Sequence, residues 1–339
     1  MTYSTPWELT MLKQPLSYLP PDLTHDLAHL LLRTHTARLV AGILTMLSGG
    51  LPYRLRILNR TIESPVGIGA GLDKDGLLMG FMAKLPIGFH TVGSVTLRPR
   101  AGNPKPRMLR YPELGVMVNA MGLPSMGVAY LKGILDKECG RWPKSKLLGV
   151  SVAGFNEIEI KLAIDSLTPF FNCLDFIEVN ISSPTYSGSW IEHQRLNSLL
   201  TMLKGYDKVV VKAPLLKDLN DEVKLIKLII NHNPFGLTIA NTLRIKSNLP
   251  AGYGGLSGRP LLEIVIRLLK LTRAMGYGGL IIGLGGFMRG VDVVKGINAG
   301  ADLVGLVTAF AMEGPASVYR IISELRRLTV NKLRRSLYP

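Results

Sequence analysis

Along most of the chain, short continuous apolar runs alternate with longer segments in which apolar positions return every three or four residues. The runs are Val66–Leu72, His90–Thr96, Leu147–Val152, Phe176–Ile181, Val209–Ala213, Leu237–Thr242, Leu280–Gly285 and Leu303–Thr308. Runs of this length match parallel strands covered on both faces. Helical patterns fill most gaps, for example Asp221–Asn231, Leu261–Met275 and Gly290–Asn298. Eight such units over roughly 260 residues predict an α/β chain folded as a (β/α)8 TIM barrel. The interval 97–146 is too long for one helix, and Arg107–Tyr111 with Gly115–Val118 predicts a hairpin inserted at the catalytic face. A doubly wound open sheet is the alternative, but no early GxGxxG opens one.

Residues 1–62 follow another rhythm. Leu23, Leu27, Leu30 and Leu31 recur at helical spacing, with Asp22 or Thr24 as the expected cap. In a second segment, Thr36–Leu47, the residues Leu39, Val40, Ile43, Leu44 and Leu47 share one side. The expected organisation is a small N-terminal helical extension over 1–62, a (β/α)8 barrel over 63–330 and a basic C-terminal tail over 331–339. The two apolar faces suit docking on the main domain, contact with a membrane surface, or an apolar ligand held between them. The apolar stretch Leu39–Leu47 is far short of the ~20 residues that span a bilayer. With no secretory pattern at the start, the expected location is cytoplasmic, with a peripheral contact on the inner face of the cell membrane through residues 23–47.

Charge and cysteine content narrow the picture only partly. A formal net charge of +16 suits nucleic acid, an anionic membrane or an anionic substrate and cofactor, and equally a plain basic surface. Cys139 and Cys173 are the two cysteines and form no CxxC, so the expectation is no disulfide framework, no cysteine-based metal site and a reducing compartment. Of the six histidines only His25 and His29 share an i, i+4 spacing, without the Glu of HExxH, so no metal is expected.

In a barrel the C-terminal strand ends share the face that holds the active site. Here they read Gly69-Ala70-Gly71-Leu72-Asp73-Lys74, then Gly93-Ser94, then Ser151, then Asn180-Ile181-Ser182-Ser183-Pro184. Lys212, Asn241-Thr242, Gly283-Leu284-Gly285-Gly286 and Thr308 complete the ring, and the inserted loop adds Asn119-Ala120-Met121-Gly122. Two lysines and three asparagines converge, with no carboxylate pair and no histidine. Asparagine amides match the alternating N–H and C=O groups of a pyrimidine, and lysines supply positive charge. Gly285-Gly286 and the Gly258 loop offer backbone N–H groups to a phosphate late in the barrel. Each glycine pair alone is an ordinary turn; together they point to a flavin mononucleotide site.

These residues resemble the dihydroorotate dehydrogenase family, an FMN-dependent (β/α)8 barrel of pyrimidine synthesis. The resemblance runs from about residue 20 to 328 through Gly69–Gly76, Arg98–Arg107, Asn119–Gly122, Asn180–Pro184, Gly254–Pro260 and Gly283–Gly286, in order. It is closest to the membrane quinone-linked class (class 2), whose base is serine, and Ser183 occupies that position. The resemblance implies that Ser183 takes the C5 proton of dihydroorotate while the C6 hydride goes to flavin N5, and that electrons pass to a quinone. It implies substrate contacts from Lys74, Asn119, Met121, Gly122, Leu123, Asn180, Thr185, Asn241 and Thr242. FMN contacts would come from Ala70, Gly71, Lys74, Ser94, Ser151, Asn180 and Lys212, with Asn241, Ser257, Gly258, Gly285, Gly286, Val307 and Thr308. Thr185, Ser151, Leu123 and Val307 depart from the family pattern, which has Asn, Asn, Phe and Tyr there. The alternatives are the same flavin half-reaction with a soluble acceptor or partner subunit, or a flavin reductase like the tRNA dihydrouridine synthases, to which the positive charge is suited. A non-enzymatic binding barrel is the third.

Overall fold

The structure, a computed structural model, describes residues 19–49, 51, 54–183, 185, 190 and 192–337. Pro184 and the first eighteen residues lie outside these. Eight parallel strands close a barrel: β1 (Val66–Ile68), β2 (Phe89–Thr96), β3 (Leu147–Ala153), β4 (Phe176–Asn180), β5 (Val209–Lys212), β6 (Gly236–Ile239), β7 (Leu280–Leu284) and β8 (Leu303–Leu306). Each pairs with the next in sequence and β8 returns to β1. All eight expected strands are present, so the barrel replaces the open-sheet alternative.

Side chains alternate between two cores. Phe89, Leu147, Phe176, Val210, Leu280 and Leu303 form one buried cluster, into which Ile62 also packs. Gly67 and Gly149 make room for it, since a Cβ at either would overlap the ring of Phe89 or Phe176. The next residues along, such as Ile177, Val179 and Val211, join the larger cluster beneath the surrounding helices. A short hairpin, Leu55–Ile57 with Arg60–Ile62, packs against the first cluster through Leu55, Ile57 and Leu58. Residues 55–62 are thus a hairpin rather than part of a helix.

The inserted hairpin is larger than the sequence pattern predicted. Met108–Tyr111 and Val116–Asn119 pair antiparallel, and Val116–Asn119 pairs in turn with Tyr253–Gly258, itself paired with Leu243–Lys246. Two distant insertions therefore build one four-stranded sheet. Gly258 ends a strand of this sheet rather than sitting in a loop. Leu243–Lys246 is short and half-exposed and Tyr253–Gly258 is rich in glycine, so they carry no clear two-residue period.

Two helices precede the barrel, α1 (Pro21–Leu32) and α2 (His35–Ser48). Neither expected residue caps α1. Asp22 is buried and its carboxylate accepts the Arg107 N–H at 2.9 Å, and the Thr24 hydroxyl donates to Pro20 O at 3.2 Å. The helices dock on the barrel through His29 to Leu72 O (2.7 Å), Thr45 to Lys84 O (2.7 Å) and Tyr319 to Ala41 O (2.8 Å). Leu30, Leu31, Leu39, Met46 and Leu47 stay exposed. Among the described residues no single helix is long and apolar enough to cross a membrane; α1 and α2 together approach that only as a pair bent by 81°. The last helix, Ala316–Leu337, includes most of the residues read as a basic tail.

The cysteines overturn an expectation. Cys139 and Cys173 are joined in a disulfide, with Cα atoms 5.7 Å apart, inside the range the bond requires. A separation of 34 residues gives no sequence signal. The pair forms because the end of helix Val128–Glu138 lies beside the turn that leads into β4. The cysteine argument for a reducing compartment falls with it.

Candidate active site

One cavity opens where the strands end, lined by the barrel mouth, the inserted sheet and α1. Ala70, Gly71 and Lys74 reach it after β1, Ser94 from β2, and Asn180, Ser183 and Thr185 from β4 and its loop. Lys212 comes from β5, Asn241 and Thr242 follow β6, and Gly285 and Gly286 follow β7. Val307 and Thr308 follow β8, while Asn119, Met121, Gly122, Leu123 and Ser257 come from the inserted sheet and its loop. Leu123 adopts φ +57°, a left-handed conformation that is unusual for a branched side chain.

Two residues expected at the site stand behind this wall. Ser151 is fully buried and its hydroxyl lies 2.9 Å from that of Ser94. Gly258 has φ +96°, and a Cβ there would overlap Gly115 O where the strands cross closely.

A chain of hydrogen bonds fixes the amides. Asn180 Nδ2 donates to Ser94 Oγ (2.7 Å), and Asn180 Oδ1 accepts from the Ser182 N–H (3.1 Å) and hydroxyl (2.9 Å). Asn241 Nδ2 donates to Ser182 O (3.0 Å) and Oγ (2.9 Å). Ser182 therefore locks both side chains in one orientation. Ser182 was not among the expected site residues, which within Asn180–Pro184 were Asn180 and Ser183. Ser183 Oγ donates to Thr185 Oγ1 at 3.1 Å, so the two hydroxyls already form a donor–acceptor pair.

The cations differ in setting. Lys74 Nζ donates to Gly71 O (3.0 Å), and burial lowers its pKa to about 8 against the opposing pull of Asp75. Lys212 Nζ lies 3.8 Å from Glu178 Oε1, and Glu178 Oε2 accepts the Thr238 hydroxyl at 2.7 Å. Glu178 was counted only as a strand position. His25 was also missed. It reaches the cavity from α1 beside His29, ring centroids 4.5 Å apart. Burial and the nearby Lys74 charge lower its pKa to about 3, so it stays neutral. Its only sequence signal was the i, i+4 histidine pair. Near Gly285 and Gly286, Thr308 Oγ1 donates to Ser257 Oγ (3.1 Å) and Ser257 Oγ donates to Met117 O (3.2 Å). Among the described residues no cluster of histidine, cysteine or carboxylate side chains could hold a metal.

A closed parallel barrel with an amide-, lysine- and hydroxyl-lined cavity at its C-terminal mouth defines a TIM-barrel enzyme. Residues 54–329 match the sequence profile of the family described as Dihydroorotate dehydrogenase. The chain is 35% identical over 332 residues to dihydroorotate dehydrogenase (quinone) of Burkholderia thailandensis, covering 89% of this chain and 93% of that one. It is 30% identical over 339 residues to the Pseudomonas putida enzyme of the same name, covering 93% and 98%. The mouse mitochondrial enzyme is 32% identical over 298 residues, covering 81% and 75%. The fold resembles the crystal structure of DHODH from Eimeria tenella in complex with ferulenol, with a TM-score of 0.78 and 25% identity over 96% of this chain and 95% of that one. The chain belongs to the dihydroorotate dehydrogenase family, among relatives of the quinone-linked class.

Proposed function

We propose that the protein oxidises dihydroorotate to orotate in de novo pyrimidine (UMP) biosynthesis and passes the electrons to a quinone. The observation that carries this, in a chain of this family, is the convergence of Ser183, three asparagines and two lysines on one cavity.

FMN fits the far wall. Gly71 (φ +123°) and Gly285 (φ +121°) hold conformations that favour glycine, and a Cβ at Gly71 would meet nothing within 4 Å, so the wall there is bare for a ligand. Ser257, Thr308 and the Gly285-Gly286 turn are the phosphate seat, with Gly258 shaping the strand behind it. Lys212, Ser94, Asn180 and Asn241 would hold the flavin ring, with Ser151 buttressing Ser94. Ala70, Gly71, Lys74 and Val307 complete the contacts. When bound, FMN supplies a hydride acceptor that can release electrons one at a time.

The chain's own residues do the rest. Asn119, Asn180, Asn241 and Thr242 hold the pyrimidine amides, and Lys74 faces the substrate carboxylate. Met121, Gly122 and Leu123 cover the ring and exclude water. Ser183 Oγ takes the C5 proton, and Thr185 Oγ1, already accepting from it, is the first stop for the proton on its way out. Thr185 thus uses its hydroxyl where the family pattern has an amide.

The quinone is reached through α1 and α2. His25 brings α1 into the cavity wall, and the exposed leucines beyond it suit a peripheral membrane contact through residues 23–47. The tRNA-reducing alternative is not favoured, because its cysteine acid has no counterpart at the cavity. Purified protein given dihydroorotate and a short-chain quinone should form orotate and quinol in equal amounts. Orotate formed at the same rate without quinone or with a soluble carrier instead would overturn the acceptor; no orotate would overturn the reaction.

A further inference from the structure

We propose that Glu178 is a positioning residue that keeps Lys212 charged and aimed into the cavity before any ligand arrives; the ligand's identity as flavin rests on the reading above. Glu178 precedes Asn180 by two residues on β4, and Lys212 is in register with both Asn180 and Thr238. The side chains of Glu178 and Lys212 are 3% and 4% exposed, so each ion is nearly stripped of water. One Glu178 oxygen is bonded to Thr238, and the other has no hydrogen-bond partner among the described residues. That free oxygen faces Lys212 Nζ at 3.8 Å, close enough for strong attraction but beyond a hydrogen bond. The lysine's donors therefore remain available to whatever fills the cavity, while the carboxylate beneath offsets the cost of burying the ammonium. Among the described residues no carboxylate lines the cavity itself: its other titratable side chains are Lys74, His25 and Tyr253, and the register partners Asn180 and Thr238 are uncharged.

The test is the titration of Lys212 in the full chain freed of flavin, followed by competitive amine labelling and mass spectrometry from pH 6 to pH 11. Glu178→Gln should lower the Lys212 midpoint by about one unit or more, and Glu178→Asp should restore part of that shift. Loss of the Lys74 charge above about pH 8 weakens FMN in wild type and variant alike. Beyond that shared slope, the FMN affinity of Glu178→Gln should fall at least about tenfold more than that of the wild type as Lys212 loses its proton. An unchanged midpoint, or an FMN affinity reduced equally at every pH, would make Glu178 merely structural and overturn the proposal. If Glu178→Gln does not fold, Glu178→Asp decides: a Lys212 midpoint below that of the wild type supports the proposal, and an unchanged one overturns it. The labelling needs no flavin, so a chain that fails to bind FMN refutes the cofactor reading without touching this one.

Discussion

A serine hydroxyl is a weak base at neutral pH, so Ser183 needs a partner that receives its proton and a site that keeps bulk water out. In the proposed reading Thr185, at 3.1 Å, is that partner, and the loop carrying Met121 to Leu123 is the cover. Ser183→Ala should leave flavin bound and slow its reduction by dihydroorotate by about 10²–10⁴-fold in stopped-flow spectroscopy; reduction at the wild-type rate would remove Ser183 from its role. Lys74 carries a pH dependence with a definite sign. Burial lowers its pKa to about 8, so it is a cation below that pH and loses charge above it. Orotate affinity should fall by about tenfold between about pH 7 and pH 9, and Lys74→Met should bind weakly with that slope gone. Calorimetry showing the same slope in both proteins would assign it to another group. At this scale the sequence was informative wherever a residue ended a strand. It was silent on Ser182, Glu178 and His25, because their roles depend on which side chains meet across strands or arrive from another element.

The helices α1 and α2 show how an element can be legible while its job is not. Helical spacing placed both and favoured plain docking, but left membrane contact and ligand holding open. The structure adds that His25 shares the cavity and that His29, Thr45 and Ala41 tie the pair to the barrel. Removing residues 1–50 should therefore lower quinone turnover more than flavin reduction by dihydroorotate; equal losses in steady-state and stopped-flow assays would reduce the extension to a structural prop. The inserted sheet was half legible, since only its first hairpin had a readable pattern. The disulfide between Cys139 and Cys173 was not legible at all, because it depends on a helix end meeting a distant turn. Cys173→Ala should lower stability by about 2–4 kcal/mol in urea unfolding while leaving the flavin half-reaction intact. An unchanged midpoint with reductant absent would show that the bond contributes nothing.

For the molecule as a whole, eight apolar runs were enough to give the barrel, because a parallel strand covered on both faces must be apolar throughout. The barrel rule then converted strand ends into a site, and nearly every residue taken from them lies on one cavity. What escaped was chiefly what the chain builds by joining distant segments, the second half of the inserted sheet and the disulfide, together with the short hairpin over residues 55–62. The central claim is that this cavity holds FMN and dihydroorotate together, with the serine as base. An anaerobic visible spectrum of the purified protein, recorded before and after adding dihydroorotate, tests it directly. The account predicts a flavin band that bleaches on addition and returns when quinone is supplied. A flavin band that persists unchanged would contradict it, and would turn Thr185 and Ser151 into marks of a different substrate.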